Sequence, residues 1–177
     1  MKHIATVALM LNLGVAGVYA QQKPVKMTFS GTNVATAINL QNNTVTDETH
    51  LAGGGSLGQF TFRELHADGP APQPPGGCLG PFFGVVTGAG VFHFQDESQL
   101  IVTVMNGSGC INLAAGTAAF TVNYQIRGGT GRFKGASGTL TLTSTLMPVL
   151  FNAAGAPELL TNTGEITGTI SGASVED

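Results

Sequence analysis

Residues 118–127 read Ala118-Ala119-Phe120-Thr121-Val122-Asn123-Tyr124-Gln125-Ile126-Arg127. Ala118, Phe120, Val122, Tyr124 and Ile126 fall on one face of an extended chain. Ala119, Thr121, Asn123, Gln125 and Arg127 fall on the other. A period of two with one apolar and one polar face is the pattern of a half-buried strand. Working outward, Leu140, Leu142 and Leu146 alternate with Thr139, Thr141, Thr143 and Thr145. Leu100, Val102 and Val104 oppose Ile101, Thr103 and Met105, and Ile166 and Ile170 oppose Glu165, Thr167 and Thr169. Thr, Val and Gly are plentiful and strong helix formers scarce, so propensity agrees with periodicity. Runs of this kind predict about eight strands, at 25–31, 34–40, 44–51, 57–66, 83–94, 99–106, 117–127 and 138–147, with a further one at 163–171; their ends carry the usual error of about two to four residues. Gly84, Gly88 and Gly90 within one run predict a bulge or sharp bend.

Strands that are apolar on one side leave that face wet unless the sheet closes on itself or packs on another. The expectation is therefore an all-β fold, an eight-stranded antiparallel barrel, with a β-sandwich as the alternative. A barrel of the outer-membrane kind also alternates. Against it, the chain has no Trp, only one Tyr beyond residue 20, and several runs shorter than the roughly 9–11 residues a spanning strand needs.

The start of the chain has a different character. Met1-Lys2-His3 precedes a nearly unbroken apolar run from Ile4 to Val18, and Val18-Tyr19-Ala20 precedes Gln21-Gln22. A basic start, an apolar core and a small-x-small site are the layout of a secretory signal peptide, residues 1–20. The run is interrupted by Asn12 and falls short of the roughly 20 residues of a membrane helix. The expectation is thus an exported chain, secreted or periplasmic, with one domain over 21–177 and no membrane span after cleavage. Charged residues are 10% of the chain, with seven Lys and Arg against ten Asp and Glu. Without a basic patch nucleic acid is not an expected partner, and high apolar content with small net charge rejects disorder. Residues 67–77, rich in Pro and Gly, read as a loop within the domain.

In an exported chain the two cysteines, Cys78 and Cys110, read as a disulfide between two Gly-rich turns. Lacking a matching His pattern, they are poor evidence for zinc. Asn42-Asn43-Thr44 and Asn106-Gly107-Ser108 are glycosylation sequons that matter only in a eukaryotic host.

One segment is more distinctive than the rest: Ile126-Arg127-Gly128-Gly129-Thr130-Gly131-Arg132-Phe133-Lys134-Gly135-Ala136-Ser137-Gly138. A phosphate-binding loop feeds a helix and sets Lys beside Ser or Thr, whereas this loop feeds the strand at 138–147. Phe133 is its one bulky side chain, placed to cap a barrel end. The segment resembles the Gly-Gly-Thr-Gly-x-Phe-x-Gly-Ala-x-Gly hairpin of the allene oxide cyclase barrel superfamily, which includes the dirigent proteins. The resemblance covers Gly128–Gly138 and its flanking strands and nothing upstream. It implies an eight-stranded antiparallel barrel, often a homo-oligomer, with a hydrophobic cavity that guides cyclisation or coupling of small lipophilic molecules without a cofactor. The acidic and basic residues that such proteins use lie outside the matched segment, so none is carried over. The insertion at 67–77 and the Cys pair are departures from the pattern.

Two runs carry Glu-x-His, Glu48-Thr49-His50 and Glu64-Leu65-His66, each pair on one face of its strand. Phe60 and Phe62 share the face of Glu64 and His66, so an apolar wall would lead into a general acid and base at a cavity mouth. The plain alternative is a solvated rim. Tyr124 on its apolar face needs a hydrogen-bond partner if buried, and His93 opposes Phe92 and Phe94 as a surface residue. The ligand-pocket candidates are therefore Phe60, Phe62, Glu64, His66 and Tyr124, with no catalytic residue, no metal ligand and no cofactor assigned. Two functions follow: a barrel that binds or guides a small lipophilic molecule, any activity being of the cofactor-free cyclase or isomerase type, or a structural or interaction domain of the cell exterior whose barrel is filled by side chains.

Overall fold

The structure, a computed structural model, describes residues 21–174. The expected leader at 1–20 lies outside the described residues. The period-two runs become eight strands: β1 (Lys23–Thr36), β2 (Val45–Gly55), β3 (Phe60–Gly69), β4 (Phe82–Phe94), β5 (Gln99–Asn112), β6 (Thr117–Gly129), β7 (Ser137–Phe151) and β8 (Pro157–Ser171). Each pairs antiparallel with the next, and β1 pairs with β8, so the sheet closes into a barrel. The closed antiparallel barrel is the fold expected from the sequence; the sandwich alternative is excluded because closure leaves no second sheet. The runs at 25–31 and 34–40 are corrected: they belong mainly to one strand, β1, which ends at Thr36. Gly31 let that strand be misread as two, since it carries no side chain to continue the apolar face.

The alternating faces point as the sequence predicts. Phe120, Val122, Tyr124, Leu140, Leu142 and Ile166 are buried inside, while Thr121, Asn123, Thr141 and Thr143 lie on the outer face. Apolar side chains turned inward are the reverse of the distribution in a lipid-facing barrel, and no helix among the described residues is long and apolar enough to cross a membrane.

The two ends of the barrel differ. At one end Thr130–Ala136 forms a turn with a short 3-10 segment, Gly131–Phe133. Its Phe133 ring, 1% exposed, packs 4.7 Å from the Phe94 ring, with the Arg132 guanidinium over both rings. Arg132 also donates to the Leu57 carbonyl at 2.6 Å and pairs with Asp96 at 3.0 Å, tying three connections together. Below this plug Phe60, Phe62 and Phe92 stack in series, with centroids 5.3 and 4.2 Å apart. The segment that carries the family resemblance thus closes one end of the barrel.

The opposite end stays open. There Cys78 and Cys110 are bonded, with Cα atoms 5.7 Å apart. Cys110 lies within β5 rather than in a Gly-rich turn, so the bridge pins the β3–β4 connection to a strand instead of joining two loops. That connection is shifted from the expected 67–77: β3 persists through Gly69 and β4 begins at Phe82. On β4 the pairing to β5 breaks between Val85 and Ala89, the irregularity its glycines predict.

Candidate functional site

The inward faces change character halfway up the barrel. Asn33 of β1, Thr49 of β2 and Glu64 of β3 are cross-strand neighbours in one row. In the next row toward the open end Asp47 of β2 faces His66 of β3, and Asp68 follows His66 two residues on. Ser144 and Asn162 complete a polar belt from β7 and β8, both buried. Polar groups sealed inside a protein are costly unless paired, and this belt is only partly paired. Asn162 donates to the Asn33 side-chain oxygen at 2.7 Å, and the Tyr124 hydroxyl donates to Glu64 Oε2 at 2.9 Å. The second oxygen of Glu64, both ring nitrogens of His66, one oxygen of Asp68, and the Thr49 and Ser144 hydroxyls have no hydrogen-bond partner.

His66 is fully buried, and glycines make the room for it. A Cβ at Gly88, its cross-strand partner on β4, would come within 2.7 Å of the His66 Cβ, and one at Gly90 within 2.5 Å of the Phe62 ring. Nδ1 of His66 lies 3.6 Å from Glu64 Oε2 and Nε2 lies 3.7 Å from Asp68 Oδ2. These are charge contacts, longer than hydrogen bonds. Burial alone would push the imidazole down; the facing Asp68 and Glu64 carboxylates outweigh it and hold it up, at about 10. Burial, then the neighbouring Asp68 charge, raises Asp47 despite the opposing pull of His66. Burial, then Glu64, raises the Tyr124 phenol well above its ordinary value. The belt therefore holds proton donors, an imidazolium and a neutral phenol, against carboxylate acceptors. Donor atoms of Asp47, His66 and Asp68 all lie within 4.8 Å of one another.

Above the belt the barrel is hollow. A cavity of about 690 Å³ opens at the Cys78–Cys110 end, walled by Phe83, Ile111, Ala118, Phe120, Leu146 and Leu160, with Asp47, His66 and Asp68 at its floor. The His66 ring lies 5.5 Å from the Phe120 ring, centroid to centroid, so the floor and the apolar wall are continuous.

No protein-family model, curated protein or solved structure matches the chain.

Of the five candidates, His66 alone reaches the cavity wall. Glu64 and Tyr124 sit just beneath it as a bonded pair, and Phe60 and Phe62 belong to the packed half. The other Glu-x-His pair is on the outer surface: Glu48 bonds to Arg63 and to His50 at 2.9 Å. His93 is exposed, as its alternation predicts. Sequence reading missed Asp47, Asp68, Asn33, Ser144 and Asn162. Their signal was a polar residue at an inward position of an apolar face, Ser144 between Leu142 and Leu146 being the plainest instance.

Proposed function

We propose that the chain is an exported barrel that binds one small lipophilic molecule in the open half of its interior, with the molecule's polar end on the Asp47–His66–Asp68 floor. The observation that carries this reading is a cavity of about 690 Å³ whose walls are apolar and whose floor alone is charged, within the size and character of small-molecule sites. The disulfide supports an oxidising compartment, in keeping with secretion or a periplasmic location. The filled-barrel expectation describes the other half, where the aromatic stack leaves no room for a ligand. The kinship with allene oxide cyclase-like and dirigent-like barrels remains a proposal. It draws support from the closed eight-stranded form, but the matched hairpin is at the plugged end and lends no residue to the cavity.

Three carboxylates, Asp47, Glu64 and Asp68, surround one imidazole at the floor, so the site favours a head group that donates hydrogen bonds. Phenols and long-chain alcohols should therefore bind more tightly than free fatty acids in buffer containing EDTA. The test is displacement of a hydrophobic fluorescent probe from the folded chain. Ala118→Trp fills the cavity from β6 and should abolish binding while leaving the melting temperature near that of the parent. A parent chain that binds no probe or panel member until it unfolds, or binding untouched by Ala118→Trp, would sink the proposal.

A further inference from the structure

The floor of the cavity has charge contacts among its own side chains but few hydrogen bonds. His66 is completely buried, yet neither ring nitrogen has a hydrogen-bond partner, and one oxygen of Asp68 is likewise buried without one. Buried polar groups in folded proteins are almost always partnered, so each of these needs an explanation. Asp47 and His66 are direct cross-strand partners, and Asp68 lies on the same strand as His66, two residues on. One strand pair thus delivers two carboxylates and an imidazole to one point. All three residues line the cavity, and their donor atoms already lie within 4.8 Å of one another.

We propose that Asp47, Asp68 and Nε2 of His66 form a divalent-cation site, of the borderline class to which zinc belongs, on the floor of the cavity. Imidazole with carboxylates suits such an ion, which takes the place of the Nε2 proton and releases it on binding. Three protein ligands with the fourth position open are the pattern of zinc sites that take a water or substrate oxygen, and here all three residues line the cavity. Donors at about 2.0–2.2 Å from a tetrahedral ion are about 3.4 Å apart. The 3.7 Å between His66 Nε2 and Asp68 Oδ2 is close to that. Asp47 and Asp68 line the cavity beside His66.

The surroundings of His66 fit the same assignment. A metal-bound imidazole commonly gives its other N–H to a carboxylate, which sets the tautomer and the ring plane. Glu64 Oε2 faces Nδ1 at 3.6 Å, a charge contact longer than a hydrogen bond, and is itself held by the Tyr124 hydroxyl at 2.9 Å. The row Tyr124–Glu64–His66 thus runs from the packed core to the cation position, with Nε2 on the far side of the ring. Glu64 and Tyr124 are positioning residues in this arrangement. The inference stands on the cluster itself and does not require that the cavity take a lipophile.

Calorimetric titration of the EDTA-stripped chain with zinc chloride tests it. The expected result is uptake of about one equivalent and a higher melting temperature, since an ion that binds the folded state stabilises it. Asp47→Asn and Asp68→Asn should each weaken uptake by at least about tenfold, and Glu64→Gln by about 10–100-fold, the range for outer-shell partners of metal ligands. Glu48→Gln and His50→Gln, on the outer surface, should leave it unchanged. Paramagnetic broadening by Co²⁺ in the unmodified chain locates the ion without any variant: amide signals of residues 47 and 66–68 should vanish first. A chain that takes up no zinc, uptake that survives both Asp variants, or broadening centred on His50 or His93 would overturn the assignment.

Discussion

Phe133 is the one bulky apolar side chain in the turn that closes the plugged end, and it is buried against Phe94 beneath Arg132. Removing such a ring deletes its transfer free energy and leaves a void. Phe133→Ala should therefore cost about 3–5 kcal/mol in urea unfolding. A loss under about 1 kcal/mol would place it with ordinary surface changes. Tyr124 makes a different kind of contribution. Its hydroxyl supplies the one hydrogen bond of a buried carboxylate, Glu64. Tyr124→Phe keeps the ring in its edge-on contact with Phe62 and strips that bond, and should cost about 1–3 kcal/mol. An effect near zero in the same unfolding experiment would mean that water takes the place of the hydroxyl.

At the scale of elements, the open end depends on a long connection that a single covalent bond ties to the barrel wall. Cys78–Cys110 anchors the segment between β3 and β4 to β5 across a sequence separation of 32 residues. In the chain-entropy account a loop of that size is stabilised by about 3–4 kcal/mol. The double change Cys78→Ser with Cys110→Ser should lower unfolding stability by about that amount and expose the Pro-rich segment at 70–81 to proteolysis. Resistance equal to that of the parent would show that packing alone holds the connection. β4 contributes by what it lacks. A Cβ at Gly88 would come within 2.7 Å of the His66 Cβ and 2.8 Å of the Leu65 carbonyl oxygen, so Gly88→Ala should destabilise by about 1–3 kcal/mol, as other overpacked cores do. Unchanged stability there would mean that the strand backs away from His66 without strain.

At the scale of the molecule, the polar belt couples the fold to pH. A chain beginning at Gln21 has Tyr124 as its only tyrosine, and burial and Glu64 hold its phenol well above the ordinary value. A group whose folded value is raised contributes stability that is complete below its unfolded value, about 10 for tyrosine, and is lost as pH climbs above it. His66, held up at about 10, loses its own contribution as pH rises from about 6.5 to about 10. The Tyr124 contribution should be lost above about pH 10, and tyrosinate absorbance should rise only together with loss of the strand circular-dichroism signal. Tyrosinate appearing while the strands persist would show that solvent reaches the ring in the folded barrel.

The all-β barrel, the inward side of the strands with an unbroken apolar face and the pairing of the two cysteines could all be argued from residue order. Side-chain alternation is a local property of an extended chain, and an exported chain with two cysteines has few other uses for them. The role of Phe133 was legible for the same reason, as a lone large side chain in a turn of small residues. Whether the barrel was hollow could not be read, because that depends on how the inward side chains of eight strands sum at each height. Phe60, Phe62 and Phe92 pack against one another and fill one half, whereas Ala118, Gly69 and Leu160 line the other and leave it open. Nor could alternation tell Glu64-x-His66, inside, from Glu48-x-His50, outside, since the two share the same Glu-x-His spacing. Closure decides it: the register that sets Thr49 opposite Glu64 and Asp47 opposite His66 turns Glu48 and His50 to the solvent. Asp47 joined His66 and Asp68 only through that register, because residues about twenty apart in the chain become neighbours only when one strand is aligned against the next.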